Sequence, residues 1–410
     1  MKLQLEFDDL LDAYAAAPGG TMSNDSLYNV LAVAGELSRA SIDAMEPIGR
    51  SGASHSRVKR GIRWVQQSMK ELGVLERTET RGMWRITEAG RAKVRLREAV
   101  DGFHMLAFST KYGYAVWSDC RNIFEKLDEE ITLYLSSPPY PIQNPRAYGG
   151  VAAREYVDWI CYTLEPVIRN LRPGGSLVLN VSNDVFLPGS PARSSYVERL
   201  VVALEDRFGV YKMDMVPWVN TSKPPGPLQW ASRTRQQLNT GWEPIYWFCN
   251  DPKRCLADNR RVLQPHSKSH EAFMRSGGSK TERSNCDGAH VVRKGSYGKI
   301  TEGKIPKNVL IRGHRSAATT AHHKACDAIG LPRHGAMFPP ELARFFIEFL
   351  SDVDDLIVDG MSGELTVGVM SEELKRRWIC VDKIWEYLRG GMLRFDRPVP
   401  NLNFLNVGAM

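Results

Sequence analysis

Short apolar segments that lead directly into turn residues constrain the fold of this 410-residue chain more than any other feature. Ile131–Leu135 runs into a Ser-Pro-Pro-Tyr tetrapeptide at 137–140, and Asp355–Asp359 runs into a glycine-containing turn and a helix. Uninterrupted apolar runs of this length are typical of parallel strands that are buried on both faces. Together with the strand Trp378–Asp382 and the helices between these strands, they predict an α/β domain from about Gly102 onward.

The first hundred residues follow a different pattern. Ser23–Leu37 and Arg57–Leu72 have apolar residues at helical spacing, and two short strand-like segments around Gly82 follow them before another helix opens at Thr87. Two helices, a hairpin and a helix in this order resemble a winged helix-turn-helix of the kind found in DNA-binding and restriction–modification proteins. Such a domain, at residues 1–101, would contact DNA or dock onto another protein, and the sequence leaves both open.

The net charge of +7 is concentrated in two segments. Residues 57–97 contain 12 lysines and arginines against 4 acidic residues, and residues 252–315 contain 15 against 5. Two basic segments in an otherwise acidic chain favour a nucleic acid held at two places, although one basic stretch alone is more often a solvated face. The candidate DNA-contacting residues are Arg57, Lys59, Arg60, Arg63, Arg233, Arg235, Arg275, Lys280, Arg283, Arg293 and Lys294. Arg81 and Arg85, on the hairpin around Gly82 that would form the wing, are further candidates.

Composition excludes several other classes of protein. Hydrophobic residues make up 43% of the chain and charged residues 25%, as in globular proteins with a sizeable core. No apolar run approaches the roughly 20 residues that a membrane-spanning helix needs. The seven cysteines contain no Cys-x-x-Cys pair, so neither a disulfide scaffold nor a metal site at Cys249 and Cys255 is expected, and a cytoplasmic protein is predicted.

The tetrapeptide at 137–140 resembles the catalytic motif of the amino-group DNA methyltransferases, Asp/Asn/Ser-Pro-Pro-Tyr/Phe. An exocyclic base amine is a poor nucleophile because its lone pair is delocalised into the ring, and acceptors on both amine hydrogens localise that lone pair. The resemblance implies that Ser137 Oγ and the Pro138 carbonyl are these acceptors, while Pro138 and Pro139 stiffen the loop. It also implies that Tyr140 stacks on a base that is flipped out of the duplex.

A second segment, Asp-Gly-Met-Ser-Gly-Glu-Leu-Thr-Val-Gly at 359–368, resembles the family's loop D-P-F-x-G-S-G-T-T, which binds S-adenosylmethionine. We call residues 359–366 the donor loop. Asp382 ends the next strand, close to the roughly 20-residue spacing at which an acidic residue meets ribose hydroxyls in nucleotide-binding α/β folds. His334–Leu342 resembles the family's H-P-A-x-F-P-x-x-L segment, which flanks the donor.

The resemblance therefore assigns donor binding to Phe338, Pro339, Asp359, Met361, Gly363, Thr366 and Asp382. The donor loop departs from the family pattern at four positions, Gly360, Met361, Glu364 and Leu365. The last of these removes a glycine, and Glu364 adds a carboxylate close to the ligand.

The order of these segments along the chain identifies it as a member of the β class of these enzymes. The class implies a permuted, Rossmann-like, seven-stranded sheet built from residues 102–183 and 305–410. A target-recognition region would be inserted at 184–304, and the winged-helix domain would precede the sheet at 1–101.

The function implied by the resemblance is site-specific transfer of a methyl group from S-adenosylmethionine to an exocyclic amine of double-stranded DNA. The expected enzyme is a homodimer or higher homo-oligomer of the bacterial or phage type, cytoplasmic and nucleoid-associated, serving restriction–modification or epigenetic regulation. Ser137 is commoner in cytosine-N4 enzymes while adenine N6 is the commoner target, so both bases remain open. The alternatives are a non-catalytic winged-helix regulator with a decayed methyltransferase domain, and an RNA methyltransferase, which neither the winged helix nor the recognition insert favours.

Overall fold

The computed structural model of the chain describes residues 7–33, 38–47, 54–71, 73–91, 96–142, 151–284, 288–314 and 316–405. The ends of the two helices expected at Ser23–Leu37 and Arg57–Leu72 lie outside these residues. None of the helices within them is long and apolar enough to cross a membrane.

The N-terminal domain has its own hydrophobic core and the predicted winged-helix order of elements. Its helices are α1 (Phe7–Ala16), α2 (Asn24–Val33), α3 (Arg39–Asp43), α4 (Arg57–Glu71) and α5 (Glu88–Arg91). Its strands are β1 (Thr21–Ser23), β2 (Glu46–Pro47), β3 (Ser54–His55), β4 (Leu75–Arg77) and β5 (Met83–Ile86). The three strands β1-β5-β4 form a sheet in that order, and β4 and β5 form the expected hairpin, which turns at Gly82.

Helix α4 begins where Ser56 caps it, since Ser56 Oγ accepts a hydrogen bond from the Lys59 backbone N–H at 3.1 Å. Its buried side chains Ile62, Gln66 and Met69 share one face, so its basic residues point mostly outward. The sequence pattern therefore placed the basic face of α4 correctly.

The rest of the chain is built around one large sheet. Its strands, with the separate hairpin β12–β13, are β6 (His104–Ser109), β7 (Gly113–Ser118), β8 (Ile131–Ser136), β9 (Leu171–Asn180), β10 (Tyr211–Asn220), β11 (Trp242–Cys249), β12 (Arg283–Ser284), β13 (Val291–Val292), β14 (Leu310–Arg312), β15 (Leu356–Asp359), β16 (Arg377–Asp382) and β17 (Val399–Pro400). The strand order is β14-β10-β11-β9-β8-β15-β16-β7-β6-β17 among the described residues. The seven strands from β10 to β7 form the expected permuted sheet, in which β11 is antiparallel to both neighbours. Short strands extend it at both edges.

Helices cover both faces of this sheet. The helices of this part of the chain, of which α9 lies away from the sheet, are α6 (Cys120–Phe124), α7 (Tyr156–Arg169), α8 (Tyr196–Phe208), α9 (Lys268–Arg275), α10 (Ala317–Ala328), α11 (Pro340–Leu350), α12 (Thr366–Glu373), α13 (Trp385–Met392) and α14 (Leu402–Leu405). Alternate residues of β8 enter different cores: Leu133 and Leu135 join the cluster that contains Phe346 of α11, whereas Tyr134 joins the cluster that contains Leu164 of α7. This alternation explains why β8 is apolar throughout.

The permutation brings distant segments of the chain together. Strands β15 and β16 come late in the sequence but lie in the middle of the sheet, between β8 and β7. All four strands are parallel. The tetrapeptide after β8 and the donor loop after β15 therefore leave the sheet side by side at its carboxyl edge, where ligands bind in such folds.

The structure differs from the expected partition of the chain at 184–304. Helix α8 and the strands β10 and β11 lie inside this segment, yet they belong to the central sheet and its covering layer. Strand β10 was not recognised because it mixes polar residues, Pro217 and half-buried apolar residues, so it lacks a clear two-residue period. Outside the sheet remain the connection 221–241 and the segment 250–309, which contains α9 and the β12–β13 hairpin.

The N-terminal domain packs against residues 305–410, the part of the fold that contains the donor loop and that we call the donor half. A Cβ on Gly330, which follows α10 and has a φ of +77°, would lie 2.3 Å from the Ala15 carbonyl oxygen. Only glycine permits this approach of the two backbones. Arg97 in the linker donates from its backbone N–H and its guanidinium to Glu386 of α13, at 2.9 and 2.7 Å.

Candidate active site

A pocket of about 250 Å³ opens at the carboxyl edge of β7, β8, β15 and β16. It is lined by every predicted catalytic residue and by all but one of the predicted donor-binding residues: Ser137, Pro138, Pro139, Tyr140, Phe338, Asp359, Met361, Gly363, Thr366 and Asp382. Pro339 is not among its lining residues and instead precedes α11. Two motifs that are more than 200 residues apart in sequence thus share one cavity.

The two hydroxyl groups of the tetrapeptide lie together on one acceptor. Ser137 Oγ is 3.0 Å from Tyr140 Oη, and Asn180 Oδ1 lies 3.3 Å from the first and 2.9 Å from the second. Asn180 ends β9, the neighbour of β8, and its amide group donates to the Pro244 carbonyl at 3.4 Å. That bond directs Oδ1 towards the tetrapeptide, where it accepts a hydrogen bond from a hydroxyl group. Because it belongs to an amide, Oδ1 cannot act as a base and remove the hydroxyl proton.

A second set of polar residues supports Tyr140 from β11 and the connection before it. Glu243 Oε2 lies 3.3 Å from Tyr140 Oη, and its Oε1 accepts from Lys223 Nζ at 3.0 Å. Lys223 Nζ is also 4.0 Å from Asp184. No sequence motif includes these residues or Asn180. Their only sequence signal is that they stand at or just beyond strand ends, which does not distinguish them from ordinary loop residues.

The donor loop is held by carboxylates of its own and of the next strand. Asp359 Oδ1 accepts from the Met361 N–H at 3.1 Å. Asp382 Oδ2 accepts from the Gly363 N–H at 2.7 Å, and its Oδ1 accepts from the Ile384 N–H at 2.8 Å. Asp382 therefore ties the donor loop to the turn after β16.

Burial raises the pKa of both carboxyl groups. Desolvation and, to a smaller extent, the nearby Asp382 charge raise the pKa of Asp359 to about 7, against the Met361 N–H, which lowers it. Desolvation raises the pKa of Asp382 to about 6, against the two backbone N–H groups that lower it. A cation in the pocket would lower both of these raised pKa values, because a positive charge favours the ionised carboxylates.

Two of the departures from the family pattern have a structural account. Leu365 adopts a left-handed φ of +63° at the position where the family has glycine, and its side chain is fully buried. Burial of this side chain compensates for a backbone conformation that non-glycine residues rarely adopt. Glu364 is also buried, and its carboxylate has hydrogen-bond partners at His322 on α10 and at the His334 backbone N–H. Both departures are therefore accommodated in the packing of the loop.

These features fit S-adenosylmethionine. Gly363 has a φ of +49°, and a Cβ there would lie 3.3 Å from His334 Nε2, so backbone rather than side chain faces the pocket at this point. Backbone amides, two buried carboxyl groups and the Phe338 ring together suit a ligand that combines a cation, hydroxyls and an aromatic ring. His334, the first residue of the segment that resembles H-P-A-x-F-P-x-x-L, lines the pocket, and its Nδ1 accepts from the Ala336 N–H at 3.3 Å.

Several lining residues were not predicted. Trp159 and Thr163 of α7 and Cys120 of α6 reach the pocket from the helices that flank the tetrapeptide. Asp119, which follows β7, lines it as well and caps α6 through the Arg121 N–H at 2.9 Å. Helix residues that face a pocket carry the same apolar pattern as residues that face a core, so the sequence offered no means of separating them.

The predicted DNA-contacting residues lie at the surface and do not line the pocket. On α4, Arg57 and Lys59 are ion-paired at 2.8 Å, with Glu46 and Asp43 respectively, while Arg60 and Arg63 are exposed. The others are exposed in the connection 221–241 or the segment 250–309: Arg233, Arg235, Arg275, Lys280, Arg283, Arg293 and Lys294.

The fold and this pocket define a Rossmann-like methyltransferase that carries an additional N-terminal domain. The profile of the N6/N4 DNA methylases matches residues 131–392, and that of the Mrr N-terminal domain matches residues 6–95. The chain is 30% identical over 292 residues to the type II methyltransferase M.PvuII of Proteus hauseri, covering 70% of this chain and 85% of that protein. The solved structure of the PvuII DNA methyltransferase (cytosine-N4-specific) superimposes with a TM-score of 0.55 at 27% identity, covering 71% of this chain and 89% of that one.

The chain belongs to the N6/N4 family of DNA methylases, which are S-adenosylmethionine-dependent enzymes. It is an amino-group DNA methyltransferase of the restriction–modification type. The resemblance found in the sequence is thereby confirmed, and the reading as a regulator with a decayed methyltransferase domain is not favoured.

Proposed function

We propose that the protein methylates an exocyclic amine of a base that is flipped out of double-stranded DNA. The observation that carries this proposal is that the tetrapeptide and the donor loop line one pocket. S-adenosylmethionine supplies an electrophilic methyl group when it is bound there. Direct displacement needs the amine and the methyl group in line and in contact, which a shared cavity provides. The nitrogen would lose one proton to water once it carries the methyl group, and the demethylated donor would leave as a neutral thioether.

In this proposal the tetrapeptide orients the amine. Ser137 Oγ and the Pro138 carbonyl accept its two hydrogens, so that the nitrogen lone pair points towards the donor half of the pocket. Asn180 Oδ1, at 3.3 Å from Ser137 Oγ, accepts the hydrogen bond that the serine hydroxyl donates. The lone pairs of Ser137 Oγ then remain free to accept from the amine. Tyr140 stacks on the base. For this, the Tyr140 hydroxyl either breaks its contact with Ser137 Oγ or moves together with Ser137.

We further propose that the base is cytosine and the product N4-methylcytosine. Two observations support this choice: the resemblance associates Ser137 with cytosine enzymes, and the PvuII structure at 27% identity is described as cytosine-N4-specific. Mass spectrometry of nucleosides from DNA treated with the protein distinguishes the products. N6-methyladenine in place of N4-methylcytosine would overturn the choice of base but not the reaction class.

DNA contacts are proposed to divide between two surfaces. The exposed basic residues of 221–309, close in sequence to the strands that support Tyr140, would read base edges and contact phosphates. Helix α4 and the β4–β5 wing would mainly add phosphate contacts.

Truncation tests this division of labour. Removal of residues 1–95 keeps Arg97 on Glu386 and Glu98 on Lys383, which lines the pocket, so the donor half retains those contacts. The truncated enzyme should bind DNA more weakly and with a flatter salt dependence, losing about one unit of log–log slope per phosphate contact. Methylome sequencing should show an unchanged recognition sequence. A different or looser sequence would show that the N-terminal domain reads bases too.

A further inference from the structure

The carboxylate of Glu364, inside the donor loop, is buried and has a hydrogen-bond partner on each oxygen. Oε2 lies 2.9 Å from His322 Nε2 on α10, and Oε1 accepts from the His334 backbone N–H at 3.2 Å. The side chains of Glu364 and His322 are 0% and 4% exposed. A buried carboxylate is tolerated when it is satisfied in this way. The donor loop is thus hydrogen-bonded to α10, a helix that lies outside the family's sequence motifs.

The charge of Glu364 is also matched. Burial raises the pKa of its carboxyl group, but the His322 hydrogen bond and the nearby His334 outweigh burial, and the net shift is downward. Arg394, beyond α13, donates to the Glu364 carbonyl at 2.6 Å and to Thr366 Oγ1 at 2.9 Å. A charged carboxylate, a guanidinium and an imidazole therefore surround one turn of the loop.

The neighbouring helix is shaped to admit this cluster. A Cβ on Gly390 of α13 would lie 3.2 Å from Cys326 Sγ and 3.5 Å from Glu364 Oε1. A Cβ on Gly391 would lie 2.7 Å from a Leu365 methyl group. Glycine is unfavourable inside a helix. Two consecutive glycines that face Glu364 and Leu365, two of the four departures from the family pattern, therefore indicate that loop and helix are fitted to each other.

Cys326 is packed beside His322 rather than aligned with it. Its Sγ is 3.6 Å from Nε2 and 3.9 Å from Nδ1, nearly equidistant from the two ring nitrogens. A thiol in line with one nitrogen lone pair would be clearly nearer to that nitrogen. The three side chains His322, Cys326 and Glu364 are also close enough to hold a metal ion, which is the rival reading of this cluster.

We propose that Glu364 and His322 are positioning residues for S-adenosylmethionine, holding the donor loop in its binding conformation through α10. Glu364 stands between Gly363, which Asp382 fixes, and Leu365, which has the left-handed backbone. Loss of the His322 bond frees the middle of this turn, whereas the tetrapeptide keeps all its own contacts. The inference rests on the proposed function, because it concerns the same pocket.

The test uses the full-length protein and compares Glu364→Ala, Glu364→Gln and His322→Gln. The matched control is His323→Gln, an adjacent histidine of α10 that does not bond to Glu364. Titration calorimetry should show the dissociation constant for S-adenosylmethionine raised about tenfold or more by Glu364→Ala. Glu364→Gln, which retains one acceptor oxygen, should have a smaller effect, and the control none. The KM for S-adenosylmethionine should rise together with the dissociation constant, and only the control His323→Gln should leave turnover unchanged.

Three results would overturn the inference. The first is a lower melting temperature with an unchanged donor dissociation constant, as a merely structural pair would give. The second is full additivity of His322→Gln and Glu364→Gln in the double variant, because bonded partners should not act independently. The third is one equivalent of zinc in the purified wild-type protein, since a metal-bound Nε2 cannot donate to Glu364. Wild-type protein that neither binds the donor nor methylates DNA would instead refute the proposed function.

Discussion

Replacing Asp382 with alanine should weaken binding of S-adenosylmethionine while leaving DNA binding intact. The carboxylate accepts from the backbone N–H groups of Gly363 and Ile384, at 2.7 and 2.8 Å, and both bonds are buried. Alanine leaves both donors without an acceptor and removes a negative charge from the pocket. A buried, unsatisfied donor costs about 1–3 kcal/mol. Water that enters from the open pocket can satisfy one of these two N–H groups. We therefore expect the free energy of donor binding to be weakened by roughly 1–3 kcal/mol.

This loss corresponds to a donor dissociation constant raised roughly 5- to 150-fold, at about 1.4 kcal/mol per factor of ten. Calorimetry at pH 8, where the carboxyl group of the wild-type protein is ionised, measures it directly. Asp354→Asn is the matched control, because Asp354 is exposed at the opposite end of β15 and asparagine tolerates its φ of +66°. An unchanged dissociation constant for Asp382→Ala, with the protein folded, would remove Asp382 from the donor site.

Three further outcomes are expected. Tyr140→Ala should retain donor binding but lower turnover by orders of magnitude in a methyl-transfer assay, since nothing then holds the flipped base; a wild-type rate would refute the stacking role. Donor affinity should rise as pH increases from about 5.5 to 7.5, because Asp382 and Asp359, with pKa values raised to about 6 and 7, become negative over this range and attract the sulfonium cation; calorimetry showing a constant or falling affinity would contradict it. Leu365→Gly should destabilise the protein by roughly 1–3 kcal/mol in urea unfolding, because the lost buried side chain outweighs the relieved left-handed backbone, and a gain in stability would show the reverse balance.

The parts of the site that the sequence predicts are those that follow a strand directly. The tetrapeptide and the donor loop each come after an apolar strand, and parallel neighbours end at the same edge of a sheet. Chain order alone then indicates which strands are neighbours once the permuted family is recognised. The position of Asp382 follows from the same rule, but its two backbone partners do not, because they depend on the turns and not on the strand.

Residues that act from other elements could not be found in this way. Asn180 reaches Ser137 because β9 pairs with β8, and Glu243 reaches Tyr140 because β11 pairs with β9 in the opposite direction. These pairings join residues 43 and 103 positions apart. The register that brings them together is set by packing across the whole sheet, so no local pattern announces it.

The departures in the donor loop show how one chain changes a shared motif without losing the pocket. The glycine that the family pattern places at position 365 would make that turn flexible, whereas here a buried leucine and a hydrogen-bonded glutamate fix it. The fixing groups come from α10 and α13, and these are also the elements nearest to the N-terminal domain, through Gly330 after α10 and through Arg97 on Glu386. The helices α10 and α13 belong to the last part of the chain, because the permutation places the donor loop there. The first domain and the last part of the chain therefore meet at these two helices. The N-terminal domain contacts the end of α10, through Ala15 at Gly330 and Arg91 at Asp327, and so supports that helix. A loop anchored on the helix can then depend less on the glycine-rich sequence that other members of the family use.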